Sequence, residues 1–147
     1  MSIKSFTLAF PISLFLLSIL CFADKAPGMS SPVPHSVDQV ETYRVGEDLI
    51  RIIRHNMEML PQIDIERLST PEVGLLESIS IDSIVLKGEE RKFSQSSGVF
   101  IEAIEIDGRT IKIELNYYPD DESSFVVLCE VLIKEKSFEA PVCIKKQ

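Results

Sequence analysis

SVDQVETYRVGEDLIRIIRHNMEML, residues 36–60, is the stretch on which the fold class turns. Val37, Val40, Leu49, Ile53, Met57 and Leu60 recur at three-to-four spacing, and Ile50 widens the stripe. That is the period of an amphipathic helix. Ser36-x-x-Gln39 fits a capping box at its start, and Pro61 stops it. Glu47–Arg51 and Arg54–Glu58 are i,i+4 pairs on the wet side. Gly46 marks a bend or a close packing contact in the middle. The spacing predicts one long helix over 36–60.

Downstream, Ser69-Thr70-Pro71-Glu72 is a second start signal, a cap residue followed by proline at the first helical position. It predicts a short helix through Leu76. From Leu76 onward the period falls to two. A first strand is expected through Ile79, Ile81 and Ile84–Leu86, then strands at Val99–Ile106, Ile111–Tyr117, Phe125–Ile133 and Phe138–Ile144. Lys87–Gly98 reads as a polar connection and Asp107-Gly108 as a type I′ turn. Ile111, Ile113, Leu115 and Tyr117 alternate with Lys112, Glu114 and Asn116, so they share one face. Phe125–Ile133 is nearly continuous in apolar residues and reads as a central strand covered on both faces. Pro141 cannot donate to a ladder, which puts the last strand at an edge. The expected fold class is α+β: an N-terminal long helix and a short helix packed on one face of a four- or five-stranded antiparallel sheet. Cystatin-like topologies share this element order. The chain has no Q-x-V-x-G segment, so the likeness is architectural and carries no function.

Upstream, residues 5–23 are uncharged and mostly apolar behind Lys4, with Cys21 and Ala23 at the −3 and −1 positions of an A-x-A-like cleavage site. Residues 1–23 are therefore expected to be a signal peptide, and the protein to be exported, periplasmic or extracellular. The alternatives are an anchor retained through residues 5–23, or a lipid on Cys21, to which the bulky Leu20 is a poor fit. Residues 24–35, DKAPGMSSPVPH, read as a flexible Pro/Ser-rich arm, and residues 36–147 as a single domain. The net charge of −8 repels phosphate backbones and anionic lipids. Nucleic acid is thereby excluded as a partner. The partner class expected is another exported or membrane protein, with membrane contact only if the N-terminal segment is retained.

Cys129 and Cys143 are symmetric about Lys136, the midpoint of the proposed last hairpin. That register places them opposite one another, within reach of a disulfide, and pairs Leu128 with Ile144 and Leu132 with Ala140.

Catalytic signatures are missing. His35 lies in the arm, and His55 reads as a solvated helix residue near Glu58. There is no H-E-x-x-H, no G-x-S-x-G and no Gly-rich phosphate loop. Asp120, Asp121 and Glu122 are weak metal candidates that lack the alternation of an EF-hand and read as a solvated turn. Phe100, Glu102 and Ile104 share a face by alternation. They form either a partner face or, through Glu102, an edge charge that discourages aggregation. No cofactor is expected. The expected function is a small exported protein-binding module without catalytic chemistry. The alternatives are a carrier of a small apolar ligand between helix and sheet, and a hydrolase using Glu102 and Asp121.

Overall fold

Gly46 decides the architecture. In the computed structural model, which describes residues 34–146, Gly46 has a φ of +63° and forms with Glu47 the two-residue turn between strands β1 (Val37–Val45) and β2 (Asp48–His55). Glycine takes that left-handed conformation without steric cost, and an α-helix cannot run through it. The 36–60 stretch therefore folds back on itself as an antiparallel hairpin, with Val45 opposite Asp48 and Tyr43 opposite Ile50. The predicted long helix does not exist. Val37, Val40, Thr42, Val45, Ile50, Ile52 and Ile53 are β-branched and favour the pleated backbone. The three-to-four spacing came from reading two strands that run in opposite directions as one. Ser36 and Gln39 cap nothing: the Ser36 hydroxyl meets His55, and Gln39 donates to Glu41. Arg51 pairs across the sheet with Glu66, not along a helix with Glu47.

The short helix is absent as well. Residues 69–74 close the loop between β3 (Ile63–Leu68) and β4 (Leu75–Ile81): the Ser69 amide donates to the Gly74 carbonyl at 2.8 Å, and the Gly74 amide donates to Ser69 Oγ at 3.0 Å. Ser69, expected to cap a helix, caps this loop. The first expected strand is split at Asp82 into β4 and β5 (Ser83–Leu86). The polar connection after it contains β6 (Glu89–Lys92), a short 3-10 turn at Phe93–Gln95, and the buried Phe93. Four strands follow: β7 (Gly98–Asp107), β8 (Thr110–Tyr118), β9 (Phe125–Leu132) and β10 (Val142–Lys145). The β7–β8 turn has positive φ at Gly108 alone, the pattern of type II′ and not type I′; both central residues are positive at Lys87-Gly88 instead.

The fold is thus all-β, not α+β. One antiparallel sheet runs β1-β2-β3-β4, a second β10-β9-β8-β7, and the β5–β6 hairpin stands between them in sequence. The inner faces of the two four-stranded sheets merge in a single apolar core, centred on Ile50, Ile52, Ile63 and Ile65 from one and Ile113, Leu115, Val127 and Val131 from the other. The alternation along β8 holds: Ile111, Ile113, Leu115 and Tyr117 are all buried. β9 is covered on one face only. Phe125, Val127, Cys129 and Val131 point inward, while Glu130 and Leu132 are exposed.

Cys129 and Cys143 are joined as a disulfide between directly opposed residues, with Cα atoms 4.0 Å apart. The expected register holds from Val142 to Lys145, including Leu128 with Ile144. It fails before that, where Ile133 bridges Phe138 and the Leu132 carbonyl accepts from Glu139 rather than facing Ala140.

Arg67 ties the two sheets at one end. Its guanidinium donates through Nη2 to the Glu135 carbonyl, and its Nε lies 3.0 Å from Asp48 Oδ2, an ion pair outside hydrogen-bond alignment. Opposite Arg67 on β4, Glu77 accepts the Phe138 amide at 3.0 Å. Arg67→Met keeps the apolar stem but strands Asp48 and the Glu135 carbonyl, and should lower stability by about 2 kcal/mol. A urea midpoint equal to wild type would show that the tie contributes nothing.

The expected signal peptide (1–23), its anchor alternative and residues 24–33 of the arm lie outside the described residues. Among the described residues no helix is long and apolar enough to cross a membrane.

Candidate functional site

The site is built on a β-bulge. Along β7, Phe100 is opposite Asn116 and Ile101 opposite Leu115; the register then slips, so that Ala103 meets Glu114 and Ile104 meets Ile113. Glu102 is the extra residue, and one extra residue reverses the faces beyond it. Ile101, Ile104 and Ile106 all pack against the core, while Phe100 and Glu102 are exposed. The three residues expected on one partner face are therefore divided: Phe100 and Glu102 outside, Ile104 inside. The three-residue step from Ile101 to Ile104 within an alternating strand carried this signal.

Phe100 is 54% exposed, yet it is held in place. Its ring lies over Gly98, where a Cβ would come within 3.3 Å of Cε2. Tyr118 meets it edge-on at 5.5 Å between centroids. Two clefts flank the ring and share Phe100, Met57 and Glu58. One of about 310 Å³ is lined also by Asp38, Arg54, His55, Asn56 and Ile101. The other, about 380 Å³, reaches Pro61, Phe93 and the serines of the 94–97 segment. The β2–β3 loop that presents Met57 and Glu58 is shaped by Asn56, whose side chain accepts the Glu58 amide at 2.9 Å and whose carbonyl accepts the Leu60 amide at 2.8 Å. Mostly polar walls, including two carboxylates (Asp38, Glu58) and the Arg54 guanidinium, with Met57, Pro61 and Ile101 among their apolar parts, thus surround the aromatic ring. This suits an apolar side chain entering with a polar or charged neighbour.

His55 lies at the edge of this cleft but is 94% buried, against its expected place as a solvated helix residue; its exposure is 6%. Ser36 Oγ is 3.0 Å from Nδ1, and Asp64 Oδ2 is 2.8 Å from Nε2. Asp64 also accepts from Ser80 Oγ at 2.6 Å and from Gln62 Nε2 at 3.0 Å. Burial pushes the Asp64 carboxyl up, but the hydrogen bonds from Ser80, His55 and Gln62 outweigh it and hold the group below the ordinary carboxylate range. An ionised Asp64 only accepts, so Nε2 carries the proton and, in the neutral ring, Nδ1 accepts from Ser36. The order serine–histidine–carboxylate is that of an activated nucleophile, but Ser36 lines neither cleft. The network serves as a tie across β2, β3 and β4 on the outer face of the first sheet.

Because folding lowers the Asp64 pKa, its stabilising contribution is complete above about pH 5 and is lost progressively as the pH falls below about 4. Asp64→Asn should therefore unfold at lower urea than wild type at pH 7, with the gap closing at pH 3. A gap independent of pH would refute this assignment.

The remaining candidates do not assemble. Asp120 accepts the Ser97 hydroxyl at 2.6 Å, and Glu122 lies 3.3 Å from Arg91. Among the described residues no group of three or more His, Cys, Asp or Glu side chains converges on a metal-sized site. Glu102 sits at the level of Leu115 and Glu114, while Asp121 follows the end of β8 at Tyr118. No protein-family model, curated protein or solved structure matches the chain.

Proposed function

We propose that this is an exported domain that binds another exported or membrane protein through the Phe100 cleft, with no catalytic chemistry of its own. The observation that carries the reading is an aromatic ring more than half exposed, yet fixed by Gly98 and Tyr118 between two open clefts. A large rigid aromatic costs little conformational entropy to immobilise, so it is the type of residue that anchors interfaces. The inner faces of the two sheets pack as one apolar core, which favours protein contact over the carrying of an apolar ligand between helix and sheet. The uncharged segment at residues 5–23 and the disulfide support an oxidising compartment. The net charge of −8 argues against nucleic acid.

The test is cross-linking capture of the tagged full-length protein from its own compartment, read by mass spectrometry. One stoichiometric partner should be recovered with wild type and lost with Phe100→Ala, since truncating a central aromatic anchor costs about 2 kcal/mol of binding. Equal recovery with Phe100→Ala would reject the cleft as the docking site.

A further inference from the structure

Among the described residues four strands end the two large sheets: β1 and β4 in the first, β7 and β10 in the second. Natural sheets blunt such edges with bulges, charges, proline or shortness. β1 is bulged between Val37 and Gln39 and carries Asp38, Glu41 and Arg44. β7 is bulged at Glu102 and carries Glu105 and Asp107 as well. β10 is four residues long, follows Pro141 and lies beside β5. β4 is bulged too, at Leu76, where the pairing slips between Arg67–Glu77 and Leu68–Leu75, but beyond that bulge it is the least defended of the four.

β4 runs seven residues, Leu75–Ile81, in unbroken register with β3 from Glu77 to Ile81, and contains no proline, lysine or arginine. Its one charged side chain, Glu77, is already engaged by the Phe138 amide. Among the described residues no strand or main-chain hydrogen bond covers its outer side. A second observation marks the same place. Val73, Leu75 and Leu76, at the start of the strand, are 55%, 59% and 57% exposed, three exposed apolar side chains within four residues. The strand and its flanks are acidic, and the cation on the adjoining strand, Arg67 opposite Glu77, is buried and paired with Asp48. Residues 68–86 contain Glu72, Glu77 and Asp82 and no lysine, arginine or histidine. A second copy would bring acid against acid, so charge complementarity selects a different chain.

We propose that the outer edge of β4 is a strand-addition site for an extended segment of another protein, apolar at alternate positions and bearing lysine or arginine at its ends. It rests on the protein-binding reading above and adds a second surface with a defined partner chemistry. The added strand would complete the main-chain ladder along β4, lay its apolar side chains beside Ile79 and Ile81 or over Leu75 and Leu76, and place its cations near Glu72 and Asp82.

The probe is a nine-residue labelled peptide of alternating valine and threonine with lysine at both ends, compared with its glutamate-ended twin, on the full-length protein. The lysine-ended peptide should bind saturably, and the twin about tenfold more weakly. Glu72→Lys with Asp82→Lys should reverse that preference. Ser78→Lys, on the exposed outer face opposite Glu66, should weaken binding at least about tenfold. Amide exchange on wild type supplies a readout independent of any variant: the β4 amides that point away from β3 should exchange fast in the free protein and slow with peptide. Four results would overturn the proposal. They are no saturable binding up to about 1 mM, binding unchanged by Ser78→Lys, outward-pointing β4 amides already protected without peptide, and a concentration-dependent dimer abolished by Ser78→Lys. Native-partner capture with Phe100→Ala separates the two readings, because peptide binding at β4 does not require Phe100.

Discussion

Ile52→Ala is expected to lower the unfolding free energy by about 3–4 kcal/mol, while Val40→Ala changes it by less than about 0.5 kcal/mol. Ile52 is 1% exposed at the centre of the inner face of the first sheet, opposite Ile65, and its loss leaves a cavity between two packed sheets. Val40 is 49% exposed on the outer face of β1. The helical reading of the same residues ranks them the other way, with Val40 in the buried stripe and Ile52 outside it. Urea unfolding followed by far-ultraviolet circular dichroism decides between the two. A larger loss at Val40 than at Ile52 would reinstate the helix and remove the sandwich.

Replacing Cys129 and Cys143 together by alanine should lower stability by about 3 kcal/mol, the chain-entropy value for a loop of about fifteen residues. The loss should be local as well as global. β10 is a four-residue edge strand joined to β9, with Cys129 fully buried and Cys143 packed against the core. Without the covalent link its hydrogen bonds to β9 should exchange faster than those between β8 and β9. Equal exchange protection at β10 in the variant and wild type would show that packing alone holds the strand. Free thiols in the native protein would remove the disulfide itself.

These two experiments mark where local sequence was a sufficient guide. The disulfide was legible because a hairpin register is arithmetic: residues symmetric about a turn face one another, and Cys129 and Cys143 do. The inward face of β8 was legible because strict alternation between apolar and polar residues has one strand solution. The 36–60 segment was not, because apolar residues on two antiparallel strands can mimic a helical stripe when the turn between them is overlooked. Gly46, noted only as a bend, was the deciding residue. The face of Phe100 was half legible. Alternation placed it outside correctly, but carried Ile104 with it across a bulge.

From the sequence alone came the apolar leader-like segment, the acidic charge that argues against nucleic acid, the strand character of residues 99–133 and the pairing of the two cysteines. Each depends on composition or on residues near one another in the chain. The tertiary structure decided what depends on partners far along it: that residues 36–60 find β3 and pair as strands, that His55 is buried between Ser36 and Asp64, that Arg67 reaches Glu135, and that among the described residues no strand pairs with the outer side of β4. A strand, unlike a helix, satisfies its backbone only through another segment, so its identity is settled where that segment lies.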